Sequence, residues 1–435
     1  MATNMVVANM IGTGIFTSLG FQVLPAPVGI PDAFSIVLIW IIGGVLALCG
    51  AASYAEVATT LKESGGEYQF LSRIYHPFLG FISGWVSIIV GFSAAISALS
   101  IAAVNYSLPV ITRIYGVHPG ESVSRLVSIG FIVLVALIQI GGVRRGGTFQ
   151  NWITLFKIAM IGLILFLPVI YIVQNGWSSQ VHMTPTASST GTILSLPFAG
   201  ALVYVMFSYS GWNASSYIAG EMENPQKNLP FSLIAGTLAV AFIYVLMNVV
   251  FMHLMSFNEL SGQLALGNLA VAKVFGNTAA EIFGFFFSFS LMSGISAMFI
   301  AGPRVAAQMG KDYPVFSALT FKNKGGAPVN AILLQALISA FLVWFYDFQT
   351  ILQYIEITLS LFCLLTVAGV YVLRSRNLSN ENTVKTWGYP FTPALFIGIT
   401  LWMMTFFILQ EPARLIGTAV TLVSGLALYI IFRKK

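Results

Sequence analysis

One lysine stands where a lysine is expensive. Lys157 lies in Thr154-Leu155-Phe156-Lys157-Ile158-Ala159-Met160, with apolar residues on both sides. If that run crosses a bilayer, the ammonium needs oxygen partners in a medium that supplies no water. An ammonium so placed can do the electrostatic work of a bound Na⁺, and it can hold or release a proton. Two sources of oxygen suggest themselves: carbonyls freed where a neighbouring helix breaks, and hydroxyls such as Ser293 and Ser296 in a later apolar run. The competing reading is a lysine that snorkels to the membrane interface. Glu356 is the acidic counterpart, near the start of another apolar run, where a wetted cavity or an interfacial position would also accommodate it.

The freed carbonyls have a source. Met10-Ile11-Gly12-Thr13-Gly14-Ile15-Phe16 interrupts an apolar run near the N-terminus, and Tyr209-Ser210-Gly211-Trp212-Asn213 interrupts a second one. Glycine reaches the backbone angles that unwind a helix at little steric cost. Unwinding at the first break leaves a half-helix starting near Ile15-Phe16-Thr17, whose free N–H groups and partial positive charge suit a carboxylate. Carbonyls freed around 207–210 suit an ammonium, and Phe207 could close over it. Two breaks in corresponding places predict a binding site at mid-membrane. The plainer readings are glycines that permit close helix packing and aromatics, Tyr209 and Trp212, that pack or anchor at the interface.

These groups need a bilayer around them and helices to hold them. The chain of 435 residues is 57% apolar and 8% charged, against roughly 25% charged in ordinary soluble domains. Lipid-facing helices tolerate that balance, which predicts an all-α polytopic membrane protein. At about 20 apolar residues per crossing, twelve transmembrane spans are read: near 3–28, 35–61, 78–106, 123–141, 150–174, 192–220, 231–256, 281–309, 327–346, 350–373, 390–409 and 414–432. The segment 257–280, with Glu259, Gly262, Gly267 and Lys273, is too polar to cross and is expected to lie as a lid over one face. Spans 1–5 and 6–10 each begin with a discontinuous helix. Five is odd, so the second set must insert upside down relative to the first. That gives a 5+5 inverted repeat of 1–174 and 192–374, with spans 11 and 12 in 390–435 outside it and residues 1–435 forming one transporter-like transmembrane domain. Span 10 is then the repeat partner of span 5, which makes Glu356 the mirror of Lys157.

Net charge is +6, and its placement explains it. One side carries Lys62, Arg73, Arg144, Arg145, Lys227, Arg304, Lys311, Lys322, Lys324, Arg374, Arg376, Lys385, Arg433, Lys434 and Lys435; the other carries Arg113, Arg125, Lys273 and Arg414. The basic loops are expected to be cytoplasmic, which puts both termini there. No nucleic-acid partner is needed. Glu56, Glu67, Glu221 and Glu223 fall at cytoplasmic helix ends near these loops, where gating ion pairs are possible. No cleavable signal pattern precedes the first span, which begins almost at Met1.

Enzyme chemistry has no support. The histidines (His76, His118, His182, His253) are scattered, and Cys49 and Cys363 lie in apolar runs, so no metal or cofactor is expected. No Gly-x4-Gly-Lys-Ser/Thr loop appears, which argues against ATP-driven transport by this chain. A paired-acid or His/Glu constellation deep in the spans, as an intramembrane enzyme would need, is missing.

Four motifs, in order, resemble the amino acid–polyamine–organocation superfamily, in particular its L-type and cationic amino acid transporter branches. They are Asn9-Met10-Ile11-Gly12-Thr13-Gly14-Ile15-Phe16; Tyr54-Ala55-Glu56 with Ser64-Gly65-Gly66-Glu67-Tyr68; Gly211-Trp212-Asn213 with Glu221-Met222-Glu223-Asn224-Pro225-Gln226-Lys227-Asn228-Leu229-Pro230; and Gly302-Pro303-Arg304 with Lys311-Asp312. The resemblance runs through almost the whole chain. It implies the LeuT-type fold with discontinuous helices 1 and 6 and an α-amino acid held between them. It places substrate contacts at Ile11, Gly12, Thr13, Gly14 and Ile15, with Thr13, Gly14 and Ile15 on the carboxylate. It places further contacts at Phe207, Ser208, Tyr209 and Ser210, around the amino group and side chain. Lys157 matches a lysine that Na⁺-independent relatives carry near the sodium position of sodium-driven members; Lys157, Ser293, Ser296, Phe207 and Glu356 are the coupling and gating candidates. Ser210 stands where the L-type pattern usually has Gly, which would narrow the pocket. The loop 107–122 has no cysteine, so no disulfide-linked heavy chain is expected, and a stand-alone transporter of the inner or plasma membrane fits better.

The implied function is Na⁺-independent exchange or permeation of neutral L-amino acids by alternating access, since no acidic residue lies in either break to pair a cationic side chain. The alternatives are a proton-coupled permease for cationic amino acids or amines, with Glu356 supplying charge, and a channel or non-transporting receptor.

Overall fold

The computed structural model describes all residues except 1, 26–27, 62–64, 117–118, 177–183, 186, 194, 379–382, 411, 413–414 and 433–435. Lys62, Ser64, His118, His182, Arg414, Arg433, Lys434 and Lys435, used in the sequence reading, lie outside the described residues, as does the side chain of Glu221. The described chain is helical, with no strand. In order the helices are α1 (Ala2–Met10), α2 (Gly14–Gln22), α3 (Ala33–Leu61), α4 (Glu67–Ile74), α5 (Pro77–Val86) running through a π-helical stretch Ser87–Ala94 into α6 (Ala95–Tyr115), α7 (Glu121–Ile140), α8 (Val143–Asn175), α9 (Ala187–Thr192) and α10 (Leu196–Tyr209). A 3₁₀ turn Ala214–Glu221 follows, then α11 (Pro225–Leu254), α12 (Phe257–Leu260), α13 (Leu266–Phe275), α14 (Asn277–Asp312), α15 (Val329–Phe345), α16 (Phe348–Ser375), α17 (Phe391–Gln410) and α18 (Leu415–Phe432).

Side chains satisfy N–H groups left free at the starts of several helices. His76 Nδ1 accepts from Phe78 N–H, with Pro77 at the first helical position of α5. The Ser195 hydroxyl accepts from Phe198 N–H at α10, and Asp347 accepts from Thr350 N–H at 2.8 Å at α16.

Ten stretches among the described residues have the length and apolar composition to cross a membrane. The sequence reading of twelve finds the other two as shorter helices. The stretch 192–220 holds only the 14 residues of α10 before its break, and α15 has 17. The polar segment 257–280 folds as α12 and α13. Gly262 N–H donates to Gly20 O at the end of α2, and Gly267 N–H donates to Tyr106 Oη in α6. Glu259 caps α12 through Ser256 and pairs with Lys273 Nζ at 2.7 Å; the lysine and the Ser256 N–H hold its carboxyl down at about 2.

The broken helices α1, α2 and α10 sit inside a ring of long ones. The tightest packing is α14 on α6 and α3 on α11, with α1 against α11, and α2, α3 and α16 against α10. One buried polar knot ties the helix ends together. Glu56, fully buried, accepts from Arg374 Nε at 2.7 Å and Arg374 Nη2 at 2.8 Å, and from Thr386 N–H at 2.7 Å. The guanidinium also lies over the Tyr389 ring, 3.8 Å from its centroid. At Glu56, where the sequence allowed an ion pair, the pair with Arg374 joins α3, α16 and the segment leading to α17. Removing one member of a buried pair strands the other. Arg374→Met is expected to cost about 3 kcal/mol, read as a lowered thermal unfolding midpoint in detergent, and Glu56→Gln/Arg374→Met to recover most of that loss. A single variant as stable as the wild type would show that the pair holds nothing.

Candidate functional site

The two sequence breaks cross each other. α1 ends at Met10, residues 11–13 bend, and α2 restarts at Gly14, one residue before the expected half-helix start. α10 ends at Tyr209, Ser210 is extended, and Gly211 takes φ 92°, a left-handed value that favours glycine. At the crossing, Gly14 lies so close to Ser208 that a Cβ there would come within 2.5 Å of the Ser208 Cα. A Cβ on Gly211 would stand 3.0 Å from Asn9 Cβ. Across the same contact the Ser18 and Ser208 hydroxyls are hydrogen-bonded at 2.8 Å. Small residues thus serve two purposes here. They unwind the helices and let the unwound segments touch.

Tyr244 of α11 joins both breaks. Its hydroxyl, fully buried, is directed at Met10 O and at Ser208 O, the latter 3.1 Å away. Sequence reasoning passed over it; the available signal was a phenol inside an apolar run, which needs a partner for its O–H when buried.

Lys157 reaches the first break from α8. Its side chain is 0% exposed, so it does not snorkel. Nζ donates to Ala8 O at 3.3 Å and to Ile11 O, the carbonyls left over where α1 stops. Among the described residues no carboxylate is bonded to it. Of the two source groups named from the sequence, the structure brings together lysine and carbonyls. Ser296 instead receives Gln139 Nε2 at 2.7 Å, and the Ser293 hydroxyl has no hydrogen-bond partner among the described residues.

A cavity of about 110 Å³ opens beside the crossing. One water centre needs about 10–15 Å³, so the space suits a small solute. Gly12, Thr13 and Gly14 of the first break line it, as do Phe207, Ser208 and Ser210 of the second. Three site residues expected from the sequence lie outside its wall. The Ile11 and Ile15 side chains are fully buried in the packed interior, so only their backbone could face a ligand. The Tyr209 hydroxyl points away, donating to Trp40 O at 2.9 Å, and its ring packs on Trp40 and Tyr244.

Two acids line the cavity: Glu356, a coupling candidate of the sequence reading, and Glu67, for which that reading held only a gating ion pair possible. Glu356 of α16 is 4% exposed, and its only hydrogen bond among the described residues comes from Ser360 Oγ at 2.6 Å. Gln349 and Gln353 Nε2 both donate to Tyr204 Oη, at 3.1 and 3.0 Å. One turn further along each helix, Glu356 lines the same cavity as Phe207 and Ser208. Glu67 at the start of α4 is buried too, and among the described residues no cation holds it. It accepts from Tyr54 Oη at 2.8 Å, Asn213 Nδ2 at 2.5 Å and Tyr217 Oη at 2.5 Å, which fastens α4 to the chain just past the second break.

Residues 1–432 match the amino acid permease family. The chain belongs to that family. Among similar proteins, the b(0,+)-type amino acid transporter 1 of Mus musculus is 28% identical over 436 residues, covering 98% of this chain and 85% of its own length. The serine/threonine exchanger SteT of Bacillus subtilis (strain 168) is 26% identical over 403 residues, with coverages of 91% and 87%. The large neutral amino acids transporter small subunit 2 of Rattus norvegicus is 26% identical over 440 residues, with 99% and 79%. The permease is a multi-pass membrane transporter, not an enzyme. Tyr244→Phe keeps the ring and removes the one hydroxyl donor that the two breaks share, at about 1–3 kcal/mol. The expected result is a folded permease whose uptake rate in proteoliposomes falls on the order of tenfold; an unchanged rate would detach Tyr244 from the working site.

Proposed function

We propose that this permease is a Na⁺-independent transporter of small or medium neutral L-amino acids, working by alternating access in the inner or plasma membrane with both termini cytoplasmic. In this reading the helices make twelve crossings as a LeuT-type 5+5 inverted repeat, 1–174 and 192–374, with 390–435 outside it, and the chain works without a disulfide-linked heavy chain. The substrate carboxylate sits on the amides of Thr13, Gly14 and Ile15 at the start of α2, where a helix N-terminus offers unsatisfied donors and positive potential. The ammonium sits on carbonyls near Phe207, Ser208 and Ser210, and Phe207 closes over the bound molecule. The carrying observation is Lys157 Nζ on the carbonyls of Ala8 and Ile11. A fixed ammonium there supplies the charge that a Na⁺ would otherwise supply, so substrate binding needs no cation from outside.

Glu356 favours a second reading. A cavity-lining carboxylate with one hydroxyl partner could pair a cationic amino acid or amine, or carry a proton with the substrate.

Uptake of a panel of labelled amino acids into proteoliposomes separates these, with and without Na⁺, a pH gradient, or amino acid inside. The expected result is uptake of neutral amino acids that ignores Na⁺ and rises with internal amino acid. Strict Na⁺ dependence would sink the role given to Lys157, and cationic uptake driven by a pH gradient would select the second reading. Lys157→Ala should lower turnover more than substrate affinity, and Phe207→Ala should impair both.

A further inference from the structure

The turn between α7 and α8 carries Arg144 and Arg145 on the first residues of α8, both exposed. A loop from a distant part of the chain, ahead of α15, docks on this turn and brings Lys322 and Lys324, also exposed. The docking is specific. Asn323 Nδ2 donates to Ile140 O at 2.6 Å, and the backbones of Gly142 and Gly325 meet so closely that a Cβ on Gly325 would lie 2.9 Å from Gly142 Cα. Two cations from each loop therefore flank one fixed contact. Neither 140–150 nor 321–330 contains an acidic residue, and among the described residues none of the four side chains has an acidic partner.

Along the helix from this collar, α7 packs on α6, α8, α14 and α15 and keeps several apolar side chains exposed. Leu137 is 61% exposed and Leu134 47%, and Trp152 of α8 stands 70% exposed about two turns from Arg145. Exposed apolar residues of α7 below a cationic turn, with an exposed tryptophan two turns into α8, match the layering of a lipid, with acyl chains along the helix and a headgroup at its end. A simple excess of loop lysines and arginines, as orientation alone requires, would not need two remote loops pinned together.

We propose that Arg144, Arg145, Lys322 and Lys324 form a binding site for the phosphate headgroup of an anionic phospholipid, whose chains lie on the outer face of α7. Free phosphate shares the headgroup's charge but has no use for that face, so the occupant is a lipid.

The test uses the full-length permease, reconstituted in phosphatidylcholine alone or with phosphatidylglycerol added. Native mass spectrometry reads the phosphatidylglycerol retained after delipidation, and thermal unfolding reads stabilisation. The wild type should retain phosphatidylglycerol and unfold at a higher temperature in its presence, and high salt should weaken both effects. Arg144→Gln/Arg145→Gln/Lys322→Gln/Lys324→Gln should lower phosphatidylglycerol affinity on the order of a hundredfold or more. Inorganic phosphate should not reproduce the stabilisation. The proposal is overturned if wild type shows no preference for phosphatidylglycerol, if the variant retains it equally, or if phosphate stabilises as well as the lipid does. The wild-type comparison stands even if the variant folds poorly, and none of these readouts depends on which substrate the permease carries.

Discussion

An interrupted helix inside a membrane leaves carbonyls and amides that lipid cannot satisfy, each worth several kcal/mol if left alone. Much of the interior of this permease follows from that. The carbonyls of Ala8 and Ile11 lose their helical partners where α1 stops and are met by Lys157, while Met10 O, which accepts the Gly12 N–H at 2.8 Å, is also met by Tyr244. The Tyr244 hydroxyl also faces Ser208 O of the second break, so a single residue of α11 is shared between them. The helices that carry Lys157 and Tyr244 must therefore stay in register with both unwound segments.

The same constraint explains why small residues crowd the crossing. Backbone must approach backbone for a hydroxyl or an ammonium to reach it, and the contact of Gly14 with Ser208 leaves no space for a side chain. What remains beside the crossing is a small cavity, not a packed interface, and polar groups from both breaks border it. The packed interior around it takes the aromatic bulk, with Tyr209, Trp40 and Tyr244 in mutual contact.

Three glutamates in this interior are stabilised in three different ways. Glu56 is neutralised by a two-pronged arginine and becomes a joint between helices. Glu67 has no cation and instead gathers three uncharged donors, which is enough to hold it against the segment beyond the second break. Among the described residues Glu356 has only a serine hydroxyl, and it opens on the cavity. The first two carboxylates are committed to structure, because their oxygens are already occupied. The third keeps capacity for another partner, and that difference sets it apart as a group for the proposed second reading.

Glycine spacing made the breaks legible in the sequence: only residues that unwind cheaply fit Gly12-Thr13-Gly14 and Ser210-Gly211 in an apolar run, and the cost of a charge in lipid marked Lys157. Composition settled the helical membrane class for the same reason, since 8% charge cannot cover a water-facing surface. The lengths of α10 and α15 were less legible, because hydropathy reads through a break that the backbone does not. Which oxygens Lys157 would meet, that Tyr209 turns towards Trp40 while Tyr244 takes the carbonyls, and that Glu356 and Glu67 stand on the cavity wall were decided by the tertiary structure. Each depends on the rotation and axial register of one helix against another, and an almost uniformly apolar run carries no periodic signal from which that rotation could be read.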